Sequence, residues 1–422
     1  MGYYLFFLAM CFYGYEYFLR IIPAIVQADW MVFFHMDATL FATISAFYFY
    51  AYTPLQLVAG IVSDRYHPRY VLGVCVFLCV LGTLGIAFAN QYHWVAVGRL
   101  LQGIGSAFAF VGLIKVIALY FPARYFAVYS GVAQSIGFMA AGVGMLMLHC
   151  LSQQIDWHGL FRLFAGVGAL LLLAFMVTWQ SRFDVKQKVV CQQPETFSAY
   201  GAALWQLCRL PQIWIAGGIA ALVFLPTSVF AALWGIPYLI ATHGFSQGEA
   251  ASGVAMIFFG WSVGTPLVGW LSDYWQRRAV LIRWGAGVAC LLSLVVLYDL
   301  SLPVFWVDVG LFLLGVLSAV EMLCFVIARD YSPAASVIAT ATALMNAFAM
   351  LGGLFFQRIV GQMLDYTYVH SATHLLHRGV RVYAAHDYQW AMRILPLAFL
   401  LACVLSFFSR DRIPTSGRHA SR

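Results

Sequence analysis

The sequence predicts an all-α membrane protein with twelve transmembrane helices in two six-helix halves, and three observations predict it. Of 422 residues, 63% are hydrophobic and only 9% are charged. Soluble proteins carry roughly 25% charged residues, so these charges are too few to solvate a globule of this size. The apolar residues fall into twelve runs, each of about 18 residues or more, long enough to cross a hydrocarbon core of about 30 Å as helix. A short charged pattern also recurs at an interval of 209 residues, near half the chain.

The runs lie near 3–26, 39–62, 70–89, 95–120, 128–150, 160–180, 211–240, 249–271, 279–299, 303–328, 334–364 and 391–409. They lack the short alternating segments of a transmembrane barrel. The first is too long, and lacks the basic start, for a cleavable signal peptide. If both chain ends face the cytoplasm, fourteen of the 23 Lys and Arg residues fall on inner segments and only Arg378 and Arg381 on outer loops. That bias orients a multi-pass protein by the positive-inside rule, as expected in a bacterial inner membrane. The net charge of +7 therefore sets topology, and nucleic acid is not an expected partner. Nine cysteines without a CxxC pair read as small hydrophobes, with no metal site expected.

The polar stretch "SRFDVKQKVVCQQPETFSAY" (181–200) reads as a cytoplasmic linker. It divides the chain into an N-terminal bundle (1–180), a linker (181–210), a C-terminal bundle (211–409) and a tail (410–422). The segment "AALWQLCRL" (202–210) is suited to lie along the membrane surface.

The recurring pattern is "GIVSDRYHPRY" after the second run and "GWLSDYWQRRA" after the eighth. It places Gly60, Asp64, Arg65 and Arg69 in one copy and Gly269, Asp273, Arg277 and Arg278 in the other. Internal duplication is typical of transporters, with substrate held between the repeats near the midplane. Gly60 is expected to end a helix where another backbone comes close. Asp64 is expected to sit near a helix N-terminus or pair with an arginine, and Arg65 and Arg69 to hold the loop at the interface.

The first copy resembles the loop motif between helices two and three of the major facilitator superfamily, with Pro68 where the family usually has glycine. "GRLLQGIGSAF" (98–108) resembles that family's helix-four motif through Arg99, Gln102 and Gly103. The resemblance extends over essentially the whole chain. It implies two pseudo-symmetric six-helix bundles around a central cavity, working by alternating access. Within the family, "YFLRIIPAIV" and "FYFYAYTPLQLVAGIVSDR" are similar to bacterial solute transporters, loosely related to lysosomal dipeptide carriers and to amino-acid importers of intracellular bacteria. Helix five, "SGVAQSIGFMAAGVGM", lacks the proline of efflux-type antiporters. Residues 211–240 carry no charge, unlike organophosphate exchangers.

Two ionisable residues stand out in the first run. A charge at mid-span costs about 2.5–3.5 kcal/mol on insertion scales and persists when paired or facing a wet cavity. Glu16 and Arg20 lie i,i+4 on one face with the acid first, the better order for pairing. Arg20 is the expected ligand of a substrate carboxylate, with Glu16 as the proton-coupling group. A substrate that competes for Arg20 takes away the counter-charge of Glu16 and so links proton to substrate. The plain alternative is that Arg20 snorkels with Glu16 as counter-ion.

Glu321 is a second candidate for proton coupling. Tyr17, Tyr48, Tyr52, Gln56, Gln134 and Asn346 are candidate substrate contacts, with helix packing and interhelical hydrogen bonds as the alternatives. Arg358 is expected to pair with Asp365 or with substrate. His370, His374 and His377 would share a face if their loop were helical, on an outer side that holds nine of eleven histidines and would charge up in acid.

The function expected is secondary active transport of a small polar solute, an amino acid, short peptide or carboxylate, as proton-coupled import by a monomer in contact with membrane lipid. Export of an amphiphile or siderophore is the same-class alternative, and a non-transporting receptor or scaffold the different-class one. No GxxxxGK[ST] or HExxH pattern occurs, so neither an ATP-driven pump nor an enzyme is expected, and no cofactor.

Overall fold

A computed structural model of the chain describes residues 2–122, 126–180, 197–332, 337–371 and 375–411. Twelve helical crossings make up nearly all of it. Spans one to six are Gly2–Ile25, Ala38–Arg65, Pro68–Ala87, Tyr92–Tyr120, Phe126–Ser152 and Trp157–Gln180. Spans seven to twelve are Pro211–His243, Gln247–Trp275, Arg278–Tyr298, Val304–Tyr331, Thr340–His370 and Ala385–Ser406. Eleven are long and apolar enough to cross a membrane by themselves; span two qualifies only together with the short helix Gln27–Phe33, to which it is bent by 118°. An even number of crossings puts both chain ends on one side, here called the near side; the opposite is the far side.

Local chemistry sets the span ends. Asp37 accepts from Leu40 N at the start of span two. His67 does the same for Arg69 N ahead of Pro68 in span three, where proline lacks an amide that would have gone unpaired. Span eight opens with a Ser246–Glu249 capping box. The helix Phe197–Cys208 precedes span seven, where the sequence suggested a surface segment. Between spans eleven and twelve, Leu376–His377 pairs with Val380–Arg381 as a hairpin. Arg378 (φ 51°) and Gly379 (φ 80°) form its two-residue turn, which needs positive φ at both positions. The shared helical face of His370, His374 and His377 is therefore not realised. The helix ends at His370, His377 sits in a strand, and His374 lies outside the described residues.

The two halves repeat their internal irregularities. Span four breaks between Ser106 and Ala109, and span ten between Ser318 and Glu321. Gly103 lies where a Cβ would sit 2.1 Å from Tyr48 O, and Gly315 where it would sit 2.2 Å from Ile257 O. Spans two and four, and equally eight and ten, thus pack backbone to backbone through small residues, as membrane helices do. The halves differ in one respect. Among the described residues, π-helical turns occur in the second half alone, at Pro226–Trp234 in span seven and Gly352–Phe356 in span eleven.

The glycines of the charged repeat behave otherwise than expected. Span two continues past Gly60 to Arg65 and span eight past Gly269 to Trp275. Among the described residues nothing lies within 4 Å of a Cβ at either position. Neither glycine ends a helix or admits a close backbone; the helix runs five residues further in span two and six in span eight.

Candidate functional site

The first span brings its two charges together inside the protein. Arg20 Nη2 donates to both Glu16 carboxylate oxygens at 3.0 Å, and the pair is nearly inaccessible, 7% and 1% exposed. Arg20 therefore does not snorkel. Tyr48 from span two donates its hydroxyl to Glu16 Oε2 at 2.7 Å. The guanidinium carbon lies 4.8, 5.6 and 5.1 Å from the ring centres of Tyr17, Tyr48 and Tyr52, an aromatic box that favours a cation. Arg20 Nε is buried with no hydrogen-bond partner. Tyr13 and Tyr17 bring their hydroxyls to 3.3 Å, continuing the polar face of span one.

The helix-four motif braces this box from behind. Arg99 donates to Leu19 O at 2.7 Å, to Gln102 Oε1 at 3.0 Å and to Ser45 O at 3.4 Å, and it lies 4.8 Å from the Tyr48 ring centre. Gln102 in turn donates to Thr83 Oγ1 at 3.0 Å. Each carbonyl that Arg99 takes belongs to the span carrying a site residue, Leu19 beside Arg20 and Ser45 one turn from Tyr48.

The remaining candidates are dispersed. Gln56 is buried and donates to Ala107 O at 3.0 Å, satisfying a carbonyl at the break of span four. Gln134 donates to Met322 Sδ at 3.2 Å, and Asn346 lies beside the Tyr52 hydroxyl, so both amides cross between the halves. Glu321 starts the second segment of span ten, buried at 4% exposure. In the charged repeat, Arg69 reaches Thr178 O (3.4 Å) and the Tyr70 hydroxyl (2.9 Å), and Arg278 forms an ion pair with Asp330. Arg65, Asp273 and Arg277 are exposed; the side chain of Asp64 lies outside the described residues. The eight described cysteines are free thiols, and no group of His, Cys, Asp and Glu among the described residues could hold a metal.

A far-side junction between the halves was not legible in the sequence. Asp365 of span eleven accepts from Thr39 N (2.8 Å) and Thr39 Oγ1 (2.5 Å) at the first turn of span two. It also accepts from Arg381 (2.8 Å) and Tyr383 (2.5 Å), which follow the hairpin turn, while Tyr383 accepts from Ala38 N at 2.9 Å. The expected Arg358–Asp365 pair does not form, since Arg358 is exposed and the carboxylate is fully engaged elsewhere. An acid at the end of an apolar run was the available signal; its partners lie up to 326 residues away in sequence and could not be read from it.

Residues 5–357 match the family model described as Major Facilitator Superfamily. The putative transporter AraJ of Escherichia coli is 27% identical over 229 residues, which cover 53% of this chain and 55% of that protein. The galacturonate transporter of Dickeya chrysanthemi is 26% identical over 265 residues, covering 58% and 73%. A bacterial homologue of the human lysosomal transporter Spinster, solved inward-facing and occupied, superposes with a TM-score of 0.70 at 18% identity, over 96% of both chains.

Proposed function

The chain belongs to the major facilitator superfamily, and from that membership we propose that it is a proton-coupled importer of a small carboxylate, amino acid or short peptide. The observation that carries this reading is the buried Glu16–Arg20 pair under three tyrosine rings. Breaking a buried ion pair by removing one partner costs about 3–5 kcal/mol, so Arg20 exchanges Glu16 only for another anion. A substrate carboxylate is such an anion, and protonation of Glu16 releases Arg20 to accept it. Alternating access then carries substrate and proton together. The excess of Lys and Arg on the near side supports cytoplasmic termini in a bacterial cell membrane. The similarity to a galacturonate transporter supports the carboxylate class.

A second reading, export of an amphiphile, is favoured by an apolar groove between spans one and five, lined by Met10, Cys11, Tyr13, Gly14, Ile136, Gly137 and Ala140. Uptake into proteoliposomes separates the two. Labelled amino acids, dipeptides and sugar acids are offered with and without an inward proton gradient, to wild type and to Arg20→Ala. Saturable, gradient-dependent uptake lost in the variant supports the importer. Uptake equal in both proteins removes Arg20 from the site, and transport of amphiphiles alone turns the assignment to export.

A further inference from the structure

The second half contains a polar cluster built on its two π-helical turns. Span seven widens at Pro226–Trp234 and packs there against span one, the carrier of Glu16 and Arg20. Span eleven widens at Gly352–Phe356 against the same turn, so close that a Cβ on Gly352 would lie 2.7 Å from Ser228 Oγ. π-turns are rare and concentrate at functional sites. Gln357 follows directly. Its Nε2 donates to Ser228 O at 2.7 Å, and its backbone carbonyl accepts from Trp234 Nε1 at 3.3 Å. Only the nitrogen of an amide can donate to a carbonyl, so the bond to Ser228 fixes which way the amide faces. Gln357 Oε1 is then the free acceptor, buried and unpartnered, and so is Thr227 Oγ1. Both residues are nearly inaccessible, at 2% and 4% exposure. A buried polar atom without a partner is costly in a finished core; other buried side-chain atoms of the chain are left so as well, but these two lie at the π-helical turns where spans seven and eleven meet.

We propose that Gln357 Oε1 and Thr227 Oγ1 form the second half's substrate subsite, and that it takes an uncharged hydrogen-bond donor, a hydroxyl or amide N–H, on the part of the substrate remote from its carboxylate. This rests on the reading of Arg20 as the carboxylate ligand. Arg20 Nε is a cationic donor left unpaired on span one, and Gln357 Oε1 a neutral acceptor left unpaired on span eleven. A ligand that bridges them presents an acceptor to one and a donor to the other. Residues 211–240 contain no charge, and an ammonium buried against Gln357 without a carboxylate would be strongly disfavoured. A second carboxylate could accept from the Thr227 hydroxyl but would meet another acceptor at Gln357 Oε1.

The test is binding to the purified full chain in nanodiscs, followed by calorimetry and by thermal stabilisation. The probes are straight-chain carboxylates of three to eight carbons ending in methyl, hydroxyl, carboxamide, ammonium or carboxylate. At one preferred length the hydroxyl- and carboxamide-ended probes bind at least tenfold tighter than the methyl-ended one. Gln357→Lys keeps a donor for Ser228 O but removes the acceptor. It abolishes that preference and binds the dicarboxylate better than wild type does. Thr227→Val removes the hydroxyl in nearly the same volume and weakens hydroxyl-ended probes, giving a second readout should the lysine variant not fold. Equal binding of methyl and hydroxyl ends overturns the subsite while leaving the carboxylate reading intact, as does tight binding of the ammonium-ended probe alone, which would point to Glu321. If no carboxylate of any length binds, or Arg20→Ala weakens none, the carboxylate reading falls and this inference with it.

Discussion

Asp365 caps the first turn of span two through Thr39, accepting from its backbone nitrogen at 2.8 Å and its hydroxyl at 2.5 Å. A carboxylate at a helix N-terminus is favoured by the helix dipole and by amides with no intrahelical acceptor. Here cap and helix belong to opposite halves, so the same bonds that complete span two also tie the halves together on the far side. Bonds to a charged group contribute about 1.5–3 kcal/mol each, and about 1.4 kcal/mol is a tenfold change in an equilibrium. Asp365→Asn is therefore expected to shift the protein toward a far-side-open state by on the order of tenfold. Spin labels at Phe33 and Leu376, both exposed, report this as a longer distance population once label-reactive native cysteines are replaced. An unchanged distribution would mean the cap does not hold the gate.

Glu16→Gln separates the two duties proposed for the pair. The amide still accepts from Tyr48, but Arg20 loses its counter-charge. The variant is expected to bind carboxylate more tightly, because nothing anionic competes for Arg20, and to exchange it across the membrane without responding to a proton gradient. Counterflow against gradient-driven uptake in proteoliposomes distinguishes these. Retained accumulation under a gradient would move coupling to another group, with Glu321 the next to test.

Arg99→Ala is expected to destabilise the first half rather than to change selectivity. Arg99 makes no contact requiring substrate; it holds Leu19 O, Ser45 O and Gln102. An unpaired buried polar group costs about 1–3 kcal/mol, and two carbonyls plus an amide oxygen are freed. The thermal midpoint in detergent should fall by several degrees, with the order of substrate preference retained. A normal midpoint with altered preference would place Arg99 in the site itself.

The sequence exposes what composition and local spacing encode. The lengths of the apolar runs locate the twelve spans, because lipid demands long apolar helices. The Glu16–Arg20 pair is visible because i,i+4 spacing is a local rule. Span two looks as apolar as its neighbours when read by run length, yet its Tyr, Thr and Gln residues make it the one crossing that is long and apolar enough only together with the short helix before it. The π-turns of spans seven and eleven leave no trace in an apolar pattern, since a widened turn shifts the period by one residue within a uniformly greasy run. Gln357 and Thr227 escaped notice for a related reason. They are uncharged, and attention to intramembrane charge passes over neutral polar atoms whose meaning depends on partners far along the chain.

Glycine positions give the sharpest contrast between a motif and its packing. A Cβ at Gly103 would lie 2.1 Å from Tyr48 O, and at Gly315 2.2 Å from Ile257 O. These are backbone atoms that cannot rotate aside, so Gly103→Ala and Gly315→Ala must push spans two and four, or eight and ten, apart. Overpacking of this kind typically costs about 1–3 kcal/mol, and at Gly103 it also displaces Tyr48 from Glu16. Gly60 and Gly269 face no described atom within 4 Å. In a helix interior alanine is favoured over glycine by roughly 0.5–1 kcal/mol, so Gly60→Ala and Gly269→Ala should fold at least as well as wild type. If the charged repeat acts in gating by letting another helix approach in a state other than this one, those two variants will be stable yet slow in transport. Thermal midpoints paired with uptake rates for all four variants decide it. Normal transport by the Gly60 and Gly269 variants would leave the repeat's arginines, rather than its glycines, as the part that matters.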